Sequence, residues 1–137
     1  MGAWGEGPFE NDGALDFLAE RASTDQIEHL FRNVIAAPVN SYLDVDDGAS
    51  VRAACELIAV AFGRGDHGAR IVKHASALRV SDTLRLLALD ALLRIVDPKK
   101  SELAGLWSEG HDGGASFRSS IEDLRARLTA PRRLTPA

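Results

Sequence analysis

One cysteine, Cys55, one methionine and one tyrosine occur among the 137 residues, and aromatics make up only 6%. A lone cysteine forms no intrachain disulfide and fits a reducing compartment. No apolar run reaches the length of a membrane span. The N-terminus lacks the basic-then-apolar pattern of a signal peptide, so the expected setting is cytoplasmic, with no membrane partner. Sustained period-two alternation with β-branched residues is missing, which excludes a sheet of consequence. The heptad regularity of a coiled coil is missing too, as is any internal repeat. Positive charge is scarce: the net charge is −4 and the sequence pI about 5.5. The one dense basic cluster, Arg132-Arg133, sits among the final residues. Nucleic acid is therefore disfavoured as a partner, because phosphate binding needs a concentrated positive face.

The usual marks of chemistry are also missing. His29, His67, His74 and His111 do not pair at metal-ligand spacing, and no His-Glu-x-x-His or Cys-x-x-Cys is present. His29 lies beside an apolar stripe and reads as a surface or boundary residue. Asp44-Val45-Asp46-Asp47-Gly48 begins like a calcium loop, but Gly48 falls at its fifth position and Cys55 at its twelfth, where Glu is required. Gly2-x-x-Gly5-x-Gly7 follows no strand, so it is no dinucleotide fingerprint. Cys55 sits within an alanine-rich segment, where free cysteine behaves as a small hydrophobe. No cofactor and no metal set are expected.

What is present is an ordinary soluble balance, 45% hydrophobic and 26% charged, in a chain long enough for one core. The expectation is a single all-α domain over residues 1–130, with a loose tail at 131–137. Its fold would be an irregular globular bundle of six or seven short helices. The first helix starts at Asn11 or Asp12, both good caps, and runs to about Ala22. Ser23 and Gln26 have capping-box spacing, and Pro38 ends the helix they open. In the connection that follows, Tyr42 and Leu43 are expected to pack down. Asp46 or Asp47 caps a third helix at about residues 48–62, apolar nearly all round and hence central, which Gly63 and Gly65 stop. A short helix spans about residues 69–78. The next, capped by Ser81, carries so many leucines that only Arg85, Asp90 and Arg94 keep a polar edge, making it the second central helix. Asp97-Pro98 reads as a cap and first helical residue of a sixth helix. The last, near residues 116–128, has Phe117, Ile121, Leu124 and Leu128 on one stripe and Asp123–Arg127 as a surface pair.

The opening sixteen residues are the least ordinary. Trp4 and Phe9 are spaced along a glycine-rich segment that leads through Glu10, Asn11 and Asp12 into the first helix. Termini usually fray; this one reads as docked onto the body by its aromatics. Asp12 and Asp16 suit the positive end of the helix dipole, so capping is their favoured role. Glu56 is the odd residue of the third helix. A solvated edge, with Arg52 one turn earlier as an i,i+4 partner, is its favoured reading. The sharper one is a half-buried carboxylate facing the N-terminal segment. Trp4, Glu10, Asn11, Asp12, Asp46 and Glu56 together are the candidate functional surface.

The run Met1-Gly2-x-Trp4-Gly5-x-Gly7-x-Phe9-Glu10-Asn11-Asp12 resembles the opening of a bacterial family known as domain of unknown function 4259. The resemblance extends into Tyr42-Leu43-Asp44 with Asp46, into Ala53-Ala54-x-Glu56, and into Ser101-Glu102-Leu103 leading to Leu106-Trp107. Many relatives carry Asp or a small polar residue in place of Gly13, and Trp in place of Phe17. The resemblance implies a small helical bacterial protein. It adds interest to the same six residues and supplies no reaction.

The leading functional expectation is a non-enzymatic, acidic protein-interaction domain with a basic protein partner, immunity-like or antitoxin-like in one concrete version. The alternative is a small enzyme or divalent-metal-binding protein using carboxylates at Glu10, Asp12, Asp46 and Glu56 beside Trp4. A third reading is a homodimer formed through an apolar face, against a monomer.

Overall fold

The structure, a computed structural model, describes residues 7–20, 22–38, 41–64, 68–110 and 112–129, the side chains of Asp12 and Arg70 excepted. Trp4, Gly65, His67, His111 and the 131–137 tail lie outside the described residues.

Helices α1 (Asp12–Glu20), α2 (Thr24–Ala36), α3 (Val45–Ala61), α4 (Ala69–Ser76), α5 (Asp82–Ile95), α6 (Glu102–Ser108) and α7 (Ala115–Thr129) follow one another in chain order. No strand forms among the described residues, and an isolated bridge joins Leu43 to Ser101. The fold is thus an all-α bundle, and α3 is its axis. It packs against each of the other six helices, and every residue from Gly48 to Val60 is buried. Alanine-rich composition makes that possible, since short side chains let neighbours approach from all sides.

Local chemistry sets the ends. Asn11 Oδ1 accepts from the Ala14 amide at 2.8 Å, capping α1. Ser23 Oγ accepts from the Gln26 amide, and its hydroxyl also donates to Gln26 Oε1 at 2.8 Å. The Gln26 side-chain amide nitrogen also donates to the Glu20 carbonyl, which ties α2 to the end of α1. The cap of α3 is Asp44, not Asp46 or Asp47: Asp44 is extended, and its Oδ1 takes the Asp47 amide at 2.8 Å. The preceding bridge explains the shift. Leu43 exchanges backbone bonds with Lys100 and Glu102, and Glu102 Oε1 accepts from the Val45 amide. That brace fixes where α3 begins. At its other end Gly63, with φ of 78°, lets its own amide reach Val60 O while the Arg64 amide reaches Ala59 O, a Schellman closure.

Three further expectations need correction. Asp97-Pro98 opens a turn, and α6 starts later, capped by Ser101 Oγ on the Ala104 amide. Leu43 is buried but Tyr42 is 58% exposed. Helix α5 is not a second enclosed helix, since Leu86 and Leu93 are 54% and 57% exposed. The expected polar edge is displaced as well. Arg85 reaches over to Leu128 O, and Arg94 to Pro38 O and Ser41 Oγ, so these arginines clamp neighbours while two leucines face out.

Candidate functional site

The candidate residues fall into two groups around the segment that leads into α1. Glu10 folds back on its own turn, its Oε1 accepting from the Gly7 amide at 3.0 Å. Asn11 spends its side-chain oxygen on the α1 cap. Asp46, exposed in the first turn of α3, lies close by: a Cβ on Gly13 would sit 3.3 Å from Asp46 Oδ1 and 3.5 Å from Asn11 Oδ1. Both oxygens thus gather at the positive end of α1, where partial negative charge is favoured. The backbone of Asp12 starts that helix, and its side chain, like Trp4, lies outside the described residues.

Glu56 is elsewhere. It is not a solvated edge: it is 3% exposed, and its ion partner is Arg127 on α7, with Oε1 to Nη1 at 2.9 Å. The same Nη1 donates to Arg64 O, and Arg64 Nη1 donates to Arg127 O, a reciprocal clamp joining the end of α3 to α7. Asp123 holds the Arg127 Nε at 2.9 Å, so the expected surface pair is one arm of a larger network. Burial alone would pull the Arg127 guanidinium down, but hydrogen bonds and charge from Glu56 and Asp123 outweigh it and hold the group above its ordinary range. Arg52 is also buried. Its Nη2 donates to Ser120 Oγ at 3.0 Å and its guanidinium lies 5.4 Å from the Phe117 ring centroid, which is itself stacked on Trp107. Gly7 and Pro8 form the outer edge of a 300 Å³ pocket over Glu56 and Arg127. Phe9 packs half-buried against the core. Glu56 is thus more deeply buried than the half-buried carboxylate of the sharper reading, and Gly7 and Pro8 line the pocket beside it.

Cys55, next along α3, is fully buried with its thiol against Ala88 O. Burial, aided by the Glu56 charge, pushes the thiol far above the ordinary range, which keeps it protonated and unreactive. Among the described residues no group of three or more His, Cys, Asp or Glu is placed to hold a metal ion.

The larger concavity is on the other side of α3. A groove of about 520 Å³ runs between α2, the Leu43 loop and the first turn of α3. Leu30, Val34, Ala37 and Leu43 make its floor, and Asp25, Gln26, His29, Asn33 and Asp47 its rim. It exists because α2 packs mainly on α5 and diverges from the start of α3. In the sequence these residues attract notice only in structural roles: Gln26 and Asp47 as capping residues, Leu43 as packed down, and His29 as a boundary position. The available signal was the width of the α2 apolar arc: Ile27, Phe31 and Val34 fill the core, leaving Leu30 and Ala37 at its margin. Arg52 and Arg127 were likewise visible only as surface partners, because nothing local reveals that α7 crosses Glu56.

A family described as Domain of unknown function (DUF4259) matches residues 2–120. The chain belongs to that family, in agreement with the resemblance seen in its sequence. No curated protein and no solved structure matches it.

Proposed function

We propose that this chain, as a member of that family, is a non-enzymatic protein-interaction domain whose contact face is the α2 groove. The observation that carries this reading is the groove itself: an apolar floor within a polar rim, in the size range of ligand-binding concavities. Support also comes from how the carboxyl and amide groups are employed. Glu10 closes a turn, Asn11 and Asp44 cap helices, and Glu56 and Asp123 hold Arg127. Groups so engaged are structural, which weakens the case for a carboxylate-based enzyme or metal site. The net charge of −4 suits a basic partner. Masking of a basic protein in an immunity- or antitoxin-like way is one concrete form of this role.

Photo-cross-linking in the native host tests it. With benzoylphenylalanine at exposed Asn33, in the groove, a discrete adduct is expected; the same probe at Asp90, on the outer face of α5, should give none. Adducts only from Asp90, or from neither site, would contradict the assignment.

A further inference from the structure

Resting on that interaction reading, we propose that the α2 groove takes one kind of partner element: a cationic amphipathic helix of about three turns. Three observations select it. The first is charge. Among the described residues, the groove lining carries two carboxylates, Asp25 and Asp47, and no lysine or arginine. Asp44 and Asp46 are exposed on the turn that bears Asp47, so one end of the groove is acidic. Nearby on α2, Arg32 is engaged by Glu28 at 3.1 Å and adds no net charge to the face. Arg94, beside Ala37, is engaged by Pro38 O and Ser41 Oγ; a segment with lysine or arginine opposite Asp25 and Asp47 is therefore favoured over an acidic one.

The second is length. Lining residues run along α2 from Asp25 to Ala37, which at the helical rise is roughly 18 Å, or about three turns. They recur at helical spacing (Gln26, His29, Asn33 and Ala37), so the wall they form is itself a ridge against which the side chains of a second helix interleave. The floor then receives the apolar stripe of the incoming helix, at i, i+3 or i+4, and i+7.

The third is backbone chemistry. An extended peptide binds by adding to a strand edge, where unpaired amides and carbonyls face out. This groove is walled by helices, whose interior amides and carbonyls bond within each helix; the Ala37 amide bonds to Asn33 O, and Leu43 already exchanges its backbone bonds with Lys100 and Glu102. An extended occupant would leave its own backbone groups unpaired against apolar side chains, whereas a helix satisfies them internally.

The experiment is an amide NMR titration of the full chain with synthetic peptides of about four helical turns. One alternates lysine and leucine at amphipathic helical spacing; one replaces each lysine by glutamate; one keeps lysine and leucine but has a central proline. The lysine peptide is expected to shift amides in residues 25–37 and 43–47, with affinity that falls as salt rises. The glutamate and proline peptides should bind at least about tenfold more weakly, a separation of about 1.4 kcal/mol. Asp25→Asn with Asp47→Asn should erase the preference for lysine over glutamate, and Asn33→Trp should block all three. Equal binding of the glutamate peptide overturns the charge assignment, and equal binding of the proline peptide overturns the helix. Shifts confined to the Leu86–Leu93 face of α5 overturn the site. Tighter occupancy of the groove by benzyltrimethylammonium alone assigns it to small organic cations and overturns the proposal. An Asn33 cross-link in the host without binding of the lysine peptide would sink this proposal and leave the interaction reading standing; loss of both would remove both.

Discussion

Two concavities among the described residues sit against the same helix and are built in opposite ways. Over the C-terminal half of α3, Glu56, Arg127, Asp123 and Arg64 are charged or polar, lie at or under the surface, and hold one another at distances near 3 Å. Beside its first turn, the α2 groove has an apolar floor held open, with its polar groups at the rim. A buried ion pair, Glu56 Oε1 with Arg127, ties α3 to α7, and breaking it to serve a ligand would loosen that junction. Apolar surface left uncovered is what a partner can bury. The first region is therefore read as structure and the second as function.

The largest effect should come from opening the closed region. Glu56→Ala removes a buried partner from the Arg127 guanidinium, which is 25% exposed and keeps Asp123, and should cost about 2–3 kcal/mol in urea melts. A loss below about 1 kcal/mol would mean that the network is expendable and free to serve chemistry. Next is the packing of α3 on α6. A Cβ on Gly48 would stand 2.9 Å from Leu103 Cβ, so α3 and α6 could not keep their approach. Gly48→Ala should destabilise by about 1–2 kcal/mol despite the better helix propensity of alanine, because the clash is with the base of a side chain. An increase in stability would show that this contact yields.

A pH series sharpens the closed side further. The Cys55 thiol is raised in the folded chain, so its contribution to stability is fully present below the unfolded thiol value of about 8.5 and is lost as pH rises above it. Relative to Cys55→Ala, the native chain should lose about 1.4 kcal/mol per pH unit from about pH 9 upward. Parallel curves for the two proteins would mean that the thiol ionises in place. The smallest effect belongs to the open region. Asn33→Trp, at an exposed position lining the groove, should change stability by less than about 0.5 kcal/mol while filling the space.

Much of the fold was legible because the signals were local. Caps at Asn11, Ser23 and Ser81 act within one helical turn, and the all-round apolar pattern of α3 follows directly from its composition. The errors came where a distant element decided. Asp44 won the α3 cap because the loop before α6 braces Leu43 and Val45. Leu86 and Leu93 stay exposed because no neighbour covers that face of α5, which periodicity within one helix has no means to show. The same holds for the candidate site. Asn11 and Asp46 do approach each other at Gly13, but Glu56 is separated from them and captured by Arg127, 71 residues later in the chain. The α2 groove was the hardest to foresee, since it is a gap between elements and not a property of any one of them.

The separation of roles between these two regions reduces to one calorimetric comparison. The affinity of the amphipathic lysine–leucine helix would be measured for the native chain, for Glu56→Gln and for Asn33→Trp. Unchanged affinity in Glu56→Gln with loss of binding in Asn33→Trp is the predicted result. Binding that survives Asn33→Trp and fails in folded Glu56→Gln would contradict it and move the functional surface to the Glu56 pocket.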